Sequence, residues 1–117
     1  MLCTIAVAML LPALVDLADK YEHWTVFAAS SVVTFFAGGL LVLFAYDENP
    51  PRIGVKEGFL LTTVAWTVIA AFAALPFLGH GLSYTDAYFE AMSGLTTTGS
   101  TVIAGLDNLP RGILLWR

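Results

Sequence analysis

From Trp24 to Tyr46 the chain carries no charged residue, and a second apolar run of similar length lies within residues 57–79. A bilayer's hydrocarbon core takes about 20 apolar residues of helix to cross. Backbone polar groups in lipid must find partners inside their own segment, so each run reads as a spanning α-helix. Trp24 and Tyr46 stand at the two ends of the first run, where aromatic rings settle at the membrane–water boundary. The chain is 58% hydrophobic and 12% charged, with a mean hydropathy of +0.81. That is too apolar for a soluble domain of 117 residues.

Residues 1–18 add a third apolar stretch, broken only by Thr4 and Asp16 and slightly short of a full span. No basic segment precedes it, which argues against a secretory signal and for a longer first helix of which the beginning is absent. Asp16 near its end is weighed as an ion relay and, more simply, as a carboxylate within reach of water. The polar link Lys20 to His23 predicts an antiparallel return. Asp47-Glu48-Asn49-Pro50-Pro51-Arg52 breaks the next helix. Gly38-Gly39, in mid-span, is either a site of close helix approach or merely tolerated. Thr62, Thr63 and Thr67 form a mildly polar stripe whose hydroxyls either line a path or bond back to their own helix. Pro76 is expected to loosen the last turn of its helix.

Several function classes drop out. The net charge of −4 offers no basic surface for nucleic acid. Cys3 stands alone, so there is no intrachain disulfide or cysteine cluster. No phosphate loop, metal-ligand spacing or catalytic triad pattern is present, and His23 and His80 are far apart in sequence.

The stretch Ser83 to Thr101 is different in kind. Ser83 or Thr85 caps a helix start, with Asp86 near the exposed amides of the first turn. The helix has room for about three turns before Gly94, which is read as its terminating glycine. Then comes Thr96-Thr97-Thr98-Gly99-Ser100-Thr101. Non-helical backbone at membrane depth is tolerated only where it is buried in protein or lines water. Extended here, it presents carbonyl oxygens that can replace the hydration shell of an alkali cation. Gly99 is expected at positive φ. A Ser/Thr-rich turn of purely structural role is the competing reading.

"DAYFEAMSGLTTTGST", followed by "GLDNLP" and "LLWR", resembles the first pore loop of the Trk-type potassium uptake proteins of the Trk/Ktr/HKT superfamily. "EGFLLTTVAWTVIAAFAALPF" resembles the helix before that loop. The resemblance covers residues 54–117 closely and residues 1–53 only in general character. It implies an all-α integral membrane fold: three transmembrane helices plus a re-entrant pore helix and filter loop. Residues 1–53 are then an N-terminal helix pair with its cytoplasmic loop. Residues 54–117 are the first helix–pore loop unit, cut at the start of its second helix near Gly112. The chain is expected to be a fragment or a truncated gene product.

What the resemblance implies for function is passive selection of potassium in an uptake permease, this chain giving one of four filter segments. Thr97 and Thr98 would supply coordinating carbonyls for potassium, and Thr96, Gly99 and Ser100 would shape the loop. No organic cofactor and no enzymatic activity are expected. The implied partners are K⁺, membrane lipid, the rest of the transporter chain, a second copy as a homodimer and a cytosolic nucleotide-binding regulatory subunit; nucleic acid is not among them. The implied location is the inner membrane, multi-pass. Basic residues divide three (Lys20, Arg111, Arg117) against two (Arg52, Lys56) across the two sides, so charge does not orient the chain. The resemblance puts the Pro50-Pro51 loop in the cytoplasm. A non-conducting helical scaffold or assembly subunit is the alternative from a different class.

Overall fold

Helix dominates because the apolar runs are long; proline or glycine stands at Pro50-Pro51, Gly54, Pro76, Gly79 and Pro110, and charged residues follow Ala18. In the computed structural model, which describes residues 1–19, 24–46, 54–105 and 108–117, seven helices occur: α1 Leu2–Ala8, α2 Leu10–Ala18, α3 Trp24–Ala45, α4 Val55–Ala73, α5 Leu75–Leu78, α6 Tyr84–Leu95 and α7 Arg111–Trp116. No strand occurs among the described residues. The Lys20–His23 link and the 47–53 loop lie outside the described residues, as do Leu106 and Asp107.

Two stretches are long and apolar enough to cross a membrane: Trp24–Ala45, with mean hydropathy 2.2, and Val55–Leu78, with mean hydropathy 2.0. At 1.5 Å per residue the first is about 33 Å long, close to the thickness of a hydrocarbon core. Their outer faces carry exposed Phe35, Phe36, Phe44, Phe59 and Leu60, an arrangement suited to an apolar solvent or to further protein.

The N-terminal stretch, expected as one helix over residues 1–18, is interrupted at Met9. Pro12 is the cause. It has no N–H to give the Ala8 carbonyl four residues back, and the following bond, from Ala13 N–H to the Met9 carbonyl, is stretched to 3.4 Å. Both short helices lie along α3. Ser31 Oγ donates to the Ala6 carbonyl at 2.7 Å, a polar tie between buried surfaces. Thr34 Oγ1 donates to Ser30 O of its own helix. Gly38 settles the question of the glycine pair: a Cβ there would stand 3.0 Å from Cys3 Sγ and Leu2 Cβ, whereas one at Gly39 would meet nothing within 4 Å. Only Gly38 makes the close approach.

On α4 the Thr62, Thr63 and Thr67 hydroxyls donate to the carbonyls of Gly58, Phe59 and Thr63, so the stripe is turned back on its own helix. Pro76 opens the short α5. There the Phe77 N–H bonds Ala74 O rather than Ala73 O. The freed Ala73 carbonyl accepts from Trp116 Nε1–H at 3.0 Å. A core of Ala13, Phe27, Ala73, Ala74, Phe77, Ala87, Ala91 and Ile113 joins α2, α3, α4, α5, α6 and α7. Trp116 meets Phe27 edge-on at 6.5 Å, a favoured aromatic geometry. This core includes residues of both α6 and α7 and brings Arg117, just past α7, against Gly94 of α6; the loop joining the two helices is the candidate site.

Candidate functional site

Ser83, rather than Thr85, caps α6. It has extended backbone, its Oγ accepts the Asp86 N–H at 3.2 Å, and the same hydroxyl donates to Asp86 Oδ2 at 2.7 Å. One orphan N–H of the first turn is thus satisfied, and the cap hydroxyl is itself held by the Asp86 carboxylate. The helix buries Ala87, Glu90, Ala91 and Ser93, its face toward the core.

Its other end corrects the sequence reading. Gly94 does not terminate α6, which continues to Leu95. A Cβ on Gly94 would lie 2.7 Å from the Arg117 carbonyl oxygen, so the missing side chain admits the backbone of α7. Termination is carried by Thr97, at φ +56. The Thr98 N–H reaches the Ser93 carbonyl (2.9 Å) and the Thr97 N–H reaches the Gly94 carbonyl (3.1 Å). That bond pair is a Schellman ending, with Thr97 at the left-handed position glycine usually takes. A β-branched residue there is strained and needs surroundings that over-determine it. Here the two backbone bonds do so, with Thr97 Oγ1 donating to Thr96 O at 2.7 Å.

Gly99 is at φ +73, as its place in the motif predicts. Left-handed residues therefore stand at 97 and 99 with one right-sided residue between them. The neighbouring groups are tied down. Thr96 Oγ1 donates to Met92 O and lies 2.8 Å from Thr98 Oγ1. Ser93 Oγ donates to Ser100 O at 2.7 Å. Arg117 Nη2 approaches Gly99 O at 3.5 Å. No described donor reaches the Thr97 or Thr98 carbonyl oxygen, although Thr96 to Val102 are all exposed.

Behind the loop sits Glu90, fully buried. Its Oε1 accepts from Thr101 Oγ1 (2.5 Å), Val102 N–H (2.7 Å) and Ile103 N–H (3.4 Å). Its Oε2 accepts from Arg117 Nε at 2.9 Å, with the Arg117 side chain 21% exposed. A carboxylate that organises three donors of a loop and is neutralised by an arginine is a brace: it fixes the returning segment without leaving net charge. The sequence singled out neither Glu90 nor Arg117 as a support of the loop, Arg117 entering only in the count of basic residues. The available signal was an acidic side chain on a short apolar helix at membrane depth, which needs a partner.

Thr96, Thr97, Thr98, Gly99 and Ser100 thus form one continuous exposed loop, and Ser93, Glu90 and Arg117 hold it from behind. Among the described residues no group of three His, Cys, Asp or Glu is placed to hold a metal ion.

Known proteins agree with this architecture. The family described as "TrkH: Cation transport protein" matches residues 23–117. The "Trk system potassium uptake protein TrkH" of Vibrio parahaemolyticus is 39% identical over the whole of this chain, which covers 24% of that protein. The protein of the same name from Escherichia coli K12 is 38% identical over 93% of the chain and 23% of its own length. The crystal structure of the potassium transporter TrkH from Vibrio parahaemolyticus superposes with a TM-score of 0.88 at 39% identity, over 98% of this chain and 25% of that one. The chain therefore spans about a quarter of the length of these relatives. They are named as uptake proteins and transporters, not enzymes. With that family match and that identity along its whole length, the chain belongs to the TrkH cation transport protein family.

Proposed function

We propose that this chain supplies one selectivity-filter segment of a potassium uptake permease in the cell membrane. In this reading α1–α2, α3 and α4–α5 are three spans. Helix α6 is a re-entrant pore helix, and residues 96–101 are the filter. Residues 1–53 are the helix pair preceding the unit that begins at residue 54. Three further segments, from the rest of a transporter chain, would complete the ring.

The observation that carries the proposal is the state of the loop's carbonyls. The Thr96, Thr97 and Thr98 hydroxyls and the Ser100 carbonyl are bonded, yet the Thr97 and Thr98 carbonyl oxygens accept nothing from described residues. Carbonyls held in place and left free can substitute for water around a dehydrated K⁺. Helix α6, twelve residues long, directs its partial negative charge of about half an elementary charge at the same place. Glu90 is compensated by Arg117, so the field on the ion comes from dipoles rather than from a full charge, which would hold the ion too tightly for passage. Potassium is the cargo. The relatives' names support it, and the homodimer and nucleotide-binding regulatory partner follow from the same resemblance.

Gly99→Ala in the full-length protein tests the filter reading. A Cβ at Gly99 would meet nothing within 4 Å. Its cost is therefore conformational, about 1–2 kcal/mol for a left-handed non-glycine residue. The expected result is protein in the membrane at normal level with weakened preference for K⁺ over Na⁺. Unchanged K⁺ uptake and unchanged Na⁺ sensitivity reject the reading, and a scaffold role predicts that outcome or simple loss of the protein.

A further inference from the structure

We infer that Asp16, on the N-terminal helix pair, is a positioning residue for the filter loop, acting through α7; this rests on the filter reading above. Asp16 is fully buried, and its Oδ1 accepts the Gly112 N–H at 2.7 Å across 96 residues of sequence. Its Oδ2 accepts no hydrogen bond among the described residues. Burying a carboxylate with one donor is costly. What the carboxylate supplies is an acceptor for a first-turn amide that has none within its own helix. The fit is close, since a Cβ on Gly112 would run into the Asp16 carboxyl group. One turn further along α2, Asp19 faces Arg111 at 3.7 Å, a second and weaker grip on the same helix start.

From Gly112 the connection to the loop is short. Ile113 of the first turn is buried in the core and its carbonyl accepts the Arg117 N–H at 3.0 Å, fixing Arg117 relative to the gripped end. The Arg117 carbonyl packs against Gly94. The Arg117 guanidinium meets Glu90 at 2.9 Å and Gly99 O at 3.5 Å. Glu90 in turn holds the Thr101–Ile103 segment. A shift of α7 therefore moves both ends of the coordinating loop. The first 19 residues, which contribute no group to the loop itself, bear on its geometry through this amide and the weaker Asp19–Arg111 contact.

The test is made in the full-length protein with Asp16→Ala, Asp16→Asn and Gly99→Ala, reading the Rb⁺-to-K⁺ uptake ratio and Na⁺ inhibition per unit of protein in the membrane. Asp16→Ala is expected to change the ratio by about fivefold, the worth of one net hydrogen bond. Asp16→Asn keeps an acceptor oxygen and is expected to restore it. A native ratio in Asp16→Ala overturns the inference, as does Asp16→Asn being equally altered, since charge and not the anchor would then matter. If Asp16→Ala does not accumulate, Asp16→Leu fills the space, lacks the acceptor and is read the same way. Absence of both from the membrane, with Asp16→Asn present and native, overturns it in favour of a purely structural role. Gly99→Ala separates the two claims: if it shifts the ratio and Asp16→Ala does not, only this inference falls, and if neither does, the filter reading falls first.

Discussion

Removing the Glu90 carboxylate is the perturbation whose size the structure defines best. In Glu90→Ala the Ile103 N–H keeps a second acceptor, Thr101 Oγ1 at 3.0 Å, and loses little. The Val102 N–H loses its 2.7 Å partner, and Arg117 loses its counter-charge at 2.9 Å. Both bonds are to a carboxylate and worth about 2 kcal/mol each, so the change costs about 4 kcal/mol, the exposed Thr101 hydroxyl turning to water. Arg117 is only 21% exposed, so water recovers part of that loss and no more. Glu90→Gln keeps one carbonyl oxygen for Thr101 and Val102 and gives up the ionic bond, costing about 2 kcal/mol. The assay is K⁺ uptake into potassium-depleted cells with and without Na⁺, normalised to membrane protein, alongside thermal unfolding in detergent. Glu90→Ala is expected to lose more stability and more K⁺ preference than Glu90→Gln. Native selectivity and native unfolding temperature in Glu90→Ala would refute the brace.

Two further outcomes follow from the backbone. Gly38→Ala should lower the yield of folded protein by driving a Cβ against Cys3 and Leu2, whereas Gly39→Ala should be silent; size-exclusion profiles of the two variants decide, and equal behaviour contradicts the close crossing. Thr97→Gly removes a left-handed strain of about 1 kcal/mol and should raise the unfolding temperature while loosening K⁺ selectivity; a fall in both stability and uptake would show that the Thr97 hydroxyl matters more than its φ.

How much of this was legible in the sequence depends on the range of the interaction. Helices α3 and α4, the Pro76 break and the positive φ at Gly99 all follow from residues within a turn or two of each other, and the chain states them plainly, while for the α6 cap it left Ser83 and Thr85 open. The hydroxyl-rich loop was visible for the same reason. Its supports were not. Glu90 and Arg117 are 27 residues apart and Asp16 and Gly112 are 96 apart, so neither pair has a local signature. The two glycines of α6 and α7 were invisible as packing sites because what excludes a side chain at Gly94 or Gly112 is backbone or carboxylate from elsewhere in the fold. Local propensity even misled at one point. It favours glycine at a left-handed helix end, so Gly94 was the natural choice, yet two backbone bonds and its own hydroxyl hold Thr97 there instead. Pro12 was in plain view, but its effect on the Ala8–Met9 turn became clear only once the helix was traced.

The most direct measurement is of the ion itself. Crystals of the full-length protein grown in K⁺ and exchanged into Tl⁺ would give anomalous density at bound-cation positions. The account predicts a peak on the axis faced by residues 96–101, within coordination distance of the Thr97 and Thr98 carbonyl oxygens, and its loss in Gly99→Ala. Tl⁺ bound elsewhere in a transporting protein, with no peak against those two carbonyls, would contradict it.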